Sequence, residues 1–370
     1  MDLPDVADLR AEAHVVSLPL VTRFRGVDHR EALLLRGPGG WTEFSPFLEY
    51  DDLESSVWLA AAIDFGWRPQ PAAVRERVPV NATVPAVAAG DVAAVLARFD
   101  GCRTAKVKVA ERGQSLADDI ARVRAVRDAM GPEGRVRLDA NGGWNVDEAE
   151  RAVHALAEFD LEYLEQPCAE VDELAELRER IADWGIPIAA DESVRKASDP
   201  LAVARAGAAD LVVVKAQPLG GVATALRIVA DSGLPAVVSS ALDTSIGLSM
   251  ALALAGALPD LPYDCGLGTA SLLAADVTTA PLRPAGGSLP VGRVEADAAL
   301  LAQHAASGRA TEWWLDRLER CCISRRCSAA DPGQYPRRVA SCTSPTSSSM
   351  MSSRNSTPVT SPEAFRTCAR

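Results

Sequence analysis

A closed parallel β/α barrel preceded by a small α+β unit is the fold predicted by this chain of 370 residues. Three observations predict it. From Val78 to about Gly268, short apolar runs alternate with Ala, Glu and Arg-rich segments of helical period. The runs are almost continuously apolar, as strands covered on both faces must be, and there are eight, which favours closure over an open doubly wound sheet. Four consecutive runs end in a charged residue, Asp139, Glu165, Asp191 and Lys215, at intervals of 26, 26 and 24 residues. That interval is close to one unit of a barrel that fits eight repeats into about 250 residues.

Up to about Arg75, the β-like segments Val15-Val16-Ser17-Leu18 and Ala32-Leu33-Leu34-Leu35 are joined by a helical stretch through Ser55-Ser56-Val57-Trp58-Leu59-Ala60. Barrel strands are predicted at 78–83, 104–109, 135–141, 161–166, 186–192, 211–217, 235–241 and 263–268. Helical periodicity lies between them at 116–130, 146–159, 171–184 and 222–230. A last helical segment around Trp313-Trp314-Leu315-Asp316-Arg317-Leu318 is expected to pack back on the N-terminal unit. The expected division is therefore 1–76 for that unit, 77–290 for the barrel, 291–320 for the returning segment and 321–370 for a tail.

The tail is rich in Ser, Thr, Arg and Pro and shows no strand or helix period, so disorder is expected there. It also crowds Cys321, Cys322, Cys327, Cys342 and Cys368, but no Cys-x-x-Cys pairing supports a zinc or disulfide site. A segment translated out of frame is the mundane alternative. Cys102, Cys168 and Cys265 stand apart from one another and read as small core residues.

Net charge is −12, and the segment from Arg320 onward holds eight Arg against Asp331 and Glu363, which leaves the rest of the chain at −18. Such an acidic body repels phosphate backbones, so nucleic acid is not an expected partner. His14, His29, His154 and His304 lack metal-ligand spacing, which argues against zinc. The start, Met1-Asp2-Leu3-Pro4-Asp5, is acidic where a secretory signal is basic, and no apolar stretch is long enough to span a bilayer. A cytoplasmic location without a membrane partner is expected.

Only four lysines occur in the chain, and the remaining basic residues are all arginine. Arginine stays protonated in proteins, whereas a lysine crowded by another cation can act as a base. Lys106 and Lys108 lie in Thr-Ala-Lys-Val-Lys-Val, Lys215 closes Leu-Val-Val-Val-Lys, and Lys196 sits in a polar loop. In a barrel the strand ends meet at one mouth, which makes Asp139, Glu165 and Asp191 neighbours. Taken singly, each acid reads as a salt bridge or a helix N-cap; three in phase point instead to a divalent cation relieving their repulsion. An all-oxygen set suits Mg2+, with Mn2+ as the alternative ion. Glu192 ranks below Asp191, because strand neighbours point to opposite faces. Lys106 and Lys108 share a face, and their like charges favour a neutral amine; Lys215 lies across the barrel. Such a site would hold a small carboxylate on Mg2+, remove the proton α to it and stabilise the enediolate. A lysine base beside Mg2+ is an established arrangement for this chemistry.

Lys106-Val107-Lys108, Asp139-Ala140-Asn141-Gly142-Gly143-Trp144, Leu164-Glu165-Gln166-Pro167, Asp191-Glu192-Ser193 and Val214-Lys215 resemble the signatures of the enolase superfamily, in its muconate-lactonising subgroup. Phe24-Arg25-Gly26, Val80-Asn81-Ala82-Thr83, Ser239-Ser240-Ala241-Leu242-Asp243 and Cys265-Gly266-Leu267-Gly268-Thr269 resemble the actinobacterial o-succinylbenzoate synthase family. The resemblance runs to about Leu318 and does not reach the tail.

It implies an α+β capping domain over a modified TIM barrel, (β/α)7β. It also implies dehydration of 2-succinyl-6-hydroxy-2,4-cyclohexadiene-1-carboxylate to 2-succinylbenzoate in menaquinone synthesis. Carried onto this chain, the resemblance makes Lys108 the base and then the acid, and Lys215 the protonated group opposite. Asp139, Glu165 and Asp191 become the metal ligands. Asn141 becomes a supporting partner of the metal site and Arg137 an electrostatic aid. Ser239, Ser240 and the loop around Arg25 become contacts of the succinyl arm.

N-succinylamino acid racemase activity would use the same two lysines, and a muconate cycloisomerase remains open. Dipeptide epimerases carry an Asp-x-Asp element where this chain has Asp264-Cys265-Gly266. From another class, an inert barrel acting as a binding protein is opposed by the intact lysine and acid set.

Overall fold

The computed structural model describes residues 4–24, 26–195 and 199–329. Arg25 and Lys196 lie outside the described residues, as does the expected tail from residue 330 on.

The chain starts with α1 (Val6–Ala11), β1 (His14–Phe24), β2 (Val27–Gly37), β3 (Gly40–Phe44) and α2 (Asp52–Trp67). The three strands form an antiparallel meander, with Val15 opposite Leu33 and Leu34 opposite Glu43. Asp51 starts α2 by accepting the Glu54 amide at 2.8 Å, which satisfies one of the donors a helix start leaves free. Trp58, Leu59 and Ile63 of α2 share one buried cluster with Leu33, Leu35 and Phe44 of the sheet. This unit forms the cap.

The barrel contains β4 (Arg77–Pro79), β5 (Ala82–Val84), α3 (Val92–Leu96), β6 (Thr104–Lys108), α4 (Leu116–Met130), β7 (Arg135–Asp139) and α5 (Val146–Leu156). It continues through β8 (Leu161–Glu165), α6 (Val171–Arg180), β9 (Ile188–Ala190), α7 (Glu192–Arg195), α8 (Ala202–Arg205) and β10 (Leu211–Val214). Then follow α9 (Val222–Ser232), β11 (Ala236–Val238), α10 (Ser245–Ala257), β12 (Ser288–Pro290), α11 (Ala298–Gln303) and α12 (Gly308–Ala329). The strands from β5 to β11 are hydrogen-bonded in chain order, and each neighbouring pair is parallel. Capping boxes at Ser115 and Asn145 fix where α4 and α5 begin.

Two predicted strands take a different form. The run 78–83 divides into β4, which pairs antiparallel with β12, and β5, which enters the barrel beside β6. The eighth run contracts to two bridging residues: Cys265 bridges to Val80 and Gly266 to Ser239. The Cys265 amide donates to the Pro79 carbonyl, and the Gly266 amide to the Val238 carbonyl, each at 2.8 Å. This segment spans the gap between the first and last strands of the curled sheet. The fit is tight, because a Cβ on Gly266 would lie 2.6 Å from Ser239 Oγ.

A large apolar cluster fills the layer between strands and helices. A smaller one, Tyr163, Ala189, Leu211, Val213 and Val237, comes from alternate positions of β8 to β11, whose side chains share the other face of the sheet.

The returning helix α12 continues to Ala329, beyond the expected start of the tail at residue 321. Trp314, Leu318, Cys321 and Cys322 have helical spacing and are all buried in the cluster that unites the cap with α12. The tail's composition hid this period, because cysteine acts here as a small apolar residue. Trp314 Nε1 donates to Glu31 Oε2 at 2.7 Å and ties α12 to β2. Cys102, Cys168, Cys265 and Cys321 are free thiols, and among the described residues no helix is long and apolar enough to cross a membrane.

Candidate active site

Register brings the charged side chains together. Lys108 pairs with Asp139, and Asp139 with Glu165, across β6, β7 and β8, so the last residues of three strands stand side by side. Glu165 pairs with Ala189, which places Asp191 just past the end of β9; Lys215 follows β10 and Ser239 follows β11. All of them are at the C-terminal ends of the parallel strands, where side chains from several strands converge.

Lys106 Nζ lies 2.9 Å from Asp139 Oδ2 and 2.8 Å from Glu165 Oε1. Lys108 Nζ donates to the same Asp139 oxygen at 2.5 Å and to Asn141 Oδ1 at 2.7 Å. Across the mouth, Lys215 Nζ donates to Asp191 Oδ2. All these groups are buried except Lys108 and Asn141, which are half-buried. Phe24 and Phe47 of the cap, together with Thr83, Leu242 and Thr269, complete the cleft lined by Lys106, Lys108, Asp139, Asn141, Asp191, Lys215, Ser239 and Ser240. The Lys108 ammonium faces the Phe24 ring at 5.7 Å.

The electrostatics follow from these pairings. Burial disfavours the charged forms, but Lys106 and Lys108 outweigh it at Asp139 and hold that carboxyl well below its usual range. Asp191 is likewise held down by Lys215 and Arg195. Glu165 goes the other way: burial and the Asp139 charge push it up to about 7. Lys106 is held charged by Asp139 and Glu165 despite its burial. The like charges expected to leave a neutral amine therefore meet a carboxylate between them. At Lys215 burial wins over Asp191 and lowers the pKa.

One residue differs from its expected direction, and others extend the network around the site. Glu192 returns to the site, because β9 ends at Ala190 and Glu192 opens α7, where strand alternation no longer applies. Its Oε1 accepts from Asn141 Nδ2 at 3.3 Å and from Arg195 Nη2 at 2.6 Å. Asn141 reaches both Lys108 and Glu192 from a left-handed backbone, φ +48°, which Asn tolerates better than most residues. Arg137 sits deeper, bound to Glu162, Asn81 Oδ1 and the Asp264 carbonyl, and does not line the cleft. Two residues earlier along β7 is one step nearer the N-terminal end of the barrel. Ser240 Oγ lies 3.0 Å from the Gly266 carbonyl and 2.7 Å from Thr269 Oγ1.

Arg195 is absent from the sequence reading. Its buried guanidinium donates to Asp191 Oδ1 at 3.1 Å, to Glu192, and to the Tyr50 hydroxyl of the cap at 2.9 Å. The spacing of Arg195 three and four residues after Glu192 and Asp191 is a helical signal, visible only once a helix is placed there.

The donor set fits a hard divalent cation. Asp139, Glu165 and Asp191 offer only oxygen, and Glu165 Oε2 is buried without a hydrogen-bond partner. Among the described residues no three such side chains are already gathered as a cation cage; lysine ammoniums lie against the carboxylates.

Residues 15–66 match the family described as Enolase N-terminal domain-like, and residues 89–294 match Enolase C-terminal domain-like. The chain is 59% identical over 290 residues to o-succinylbenzoate synthase of Thermobifida fusca, covering 78% of this chain and 89% of that protein. It is 54% identical over 320 residues to o-succinylbenzoate synthase of Mycolicibacterium smegmatis, covering 86% and 98%. Among solved structures, muconate lactonizing enzyme from Pseudomonas fluorescens, complexed with muconolactone, superposes with a TM-score of 0.68 at 21% identity. The 2-chloromuconate cycloisomerase from Rhodococcus opacus superposes with 0.66 at 24%. Each alignment covers 80% of this chain and 98% of the other, and identities this low speak for the fold alone.

Proposed function

This chain belongs to the enolase superfamily, and we propose that it catalyses the o-succinylbenzoate synthase reaction, the dehydration of 2-succinyl-6-hydroxy-2,4-cyclohexadiene-1-carboxylate on the way to menaquinone. The observation that carries this reading is a pair of lysines on a cup of three strand-end carboxylates, in a chain more than half identical to synthases along most of their length. Asp139, Glu165 and Asp191 would hold Mg2+, which supplies Lewis-acid stabilisation of charge on the substrate carboxylate.

The remaining steps fall to side chains. Lys108 Nζ, the most accessible of the three site amines, takes the proton α to the carboxylate, which makes the enediolate. The same Nζ then returns a proton to the departing hydroxyl, so that water leaves from the face that lost the proton. Lys215, on a strand four places away in the barrel, supplies positive charge to the opposite face while Asp191 keeps it in place. Lys106 offsets the carboxylate charge between β7 and β8 and orients Asp139 and Glu165. Phe24 and Phe47 shield the reacting carbons from water.

In this reading the cap (1–76) covers the barrel (77–290), and 291–320 ties the two together. A cytoplasmic site of action agrees with Cys102, Cys168, Cys265 and Cys321, which are free thiols. The test is Mg2+-dependent loss of substrate diene absorbance with purified protein, compared with Lys108→Ala. Absence of turnover by the wild type ends the reading. Racemisation of N-succinylamino acids without dehydration selects that activity instead.

A further inference from the structure

One wall of the cleft is the loop after β11. Ser239, Ser240, Ala241 and Leu242 line the cleft, and Leu242 is fully buried at φ +63°, a backbone region that is strained for a non-glycine residue. Such a conformation persists only where its surroundings hold it, and one of the groups that hold it here comes from the cap.

Arg30 of β2 is buried, and its Nε donates to the Leu242 carbonyl at 3.2 Å. Its Nη2 donates to Ser45 Oγ at 3.0 Å, and its guanidinium lies 4.6 Å from the Phe47 ring, which also lines the cleft. Glu43 of β3 is completely buried. Its Oε2 accepts from the Thr244 amide at 3.1 Å, the Thr244 hydroxyl at 2.6 Å and the Gly247 amide at 3.1 Å, and its Oε1 accepts from Ser45 Oγ at 2.5 Å. The cap therefore holds both the apex of the loop and the first turn of α10. Gly247 makes the contact sterically possible, since a Cβ there would meet the Glu43 carboxylate and Asp243 Cβ at 2.8 Å.

We propose that Arg30 and Glu43 are positioning residues, which hold Leu242 from the cap in its left-handed conformation and so set the wall against which the apolar body of the substrate packs. Neither reaches the three carboxylates or the two lysines assigned to the chemistry, so they act on substrate fit through Leu242. This rests on the cleft being the site of the dehydration proposed above.

Two measurements on the full chain test the idea. In Arg30→Met, amides of residues 242–247 should exchange with solvent at least about tenfold faster than in the wild type, while barrel-strand amides keep their protection. KM should rise about tenfold with kcat within about threefold, and Gly247→Ala should reproduce that signature by displacing Glu43. In a Leu242→Ala background, where the wall is already lost, Arg30→Met should add little further to KM. Should Arg30→Met not fold, Arg30→Lys keeps the charge, loses the Nε donor and carries the same expectation. Unchanged exchange at 242–247, or KM effects that simply multiply in the double variant, would overturn the proposal. A wild type that does not dehydrate the substrate would overturn the functional reading, and the exchange rates would still decide whether Arg30 holds the loop at Leu242.

Discussion

The ammoniums of Lys106 and Lys108 lie 2.9 and 2.5 Å from the same oxygen, Oδ2 of Asp139. Two ammoniums this close would repel each other strongly without the carboxylate between them. Lys106 has a second carboxylate, Glu165, whereas the second partner of Lys108 is the neutral amide of Asn141. That asymmetry leaves Lys108 with a single charged partner, and it is the more exposed of the two amines.

Removing either reactive amine should affect turnover far more than folding. Lys108→Ala is expected to lower kcat by about 10²–10⁴-fold, the usual worth of a positioned general base. Lys215→Ala should also be severely impaired, and the spectrophotometric assay beside a thermal melt separates lost chemistry from lost structure.

Chelation should stop the reaction, and added Mg2+ should restore it. Glu165→Gln is expected to weaken binding of Mn2+, followed by its electron paramagnetic resonance signal, by at least about tenfold. Unchanged Mn2+ affinity in this variant would remove Glu165 from the ligand set.

Arg195→Met should destabilise the protein. It leaves Asp191 facing Lys215 alone, and it leaves Glu192 and the Tyr50 hydroxyl without their guanidinium partner. Breaking a buried ion pair on one side costs about 3–5 kcal/mol, and urea titration would detect a loss of that size. Tyr50→Phe removes one hydrogen bond and should cost only about 1 kcal/mol.

Glu43 gives stability a pH dependence of known sign. Burial and the Asp243 charge push its carboxyl up to about 7, from an ordinary value of 4.5. Between these values the folded protein keeps a proton that the unfolded chain releases, so stability falls as pH rises from about 4.5 to about 7. The loss is on the order of 3 kcal/mol for this group. Glu43→Gln cannot titrate, and its stability should fall less steeply across that window when both proteins are unfolded in urea at a series of pH values.

The strand-end acids and the lysines were legible in the sequence because their signals are local. An apolar run followed by a charge identifies a strand end, and an interval of two residues puts Lys106 and Lys108 on one face. Helix α4 follows its periodicity over the whole predicted span, and Ser115 with Asp118 marks its start. The eighth strand was overread, because its length depends on how closely Gly266 can approach Ser239. Helix α12 was cut short, because Cys321 and Cys322 looked like tail composition until they were seen against the cap. Arg137, which the resemblance makes an electrostatic aid, is held by Glu162 and Asp264 deeper in the barrel than Asp139.

By itself, the sequence determined an alternating β/α chain whose units favour a barrel, and a mouth where acids and lysines meet. It did so because backbone geometry turns short-range spacing into direction. Only the tertiary structure decided which ammonium rests on which carboxylate, that Arg195 joins Asp191 to the cap, and that Glu43 grips a loop 201 residues away. Those pairings depend on strand register and on the docking of the cap, and contacts between residues so distant in the chain leave no periodic trace in its sequence.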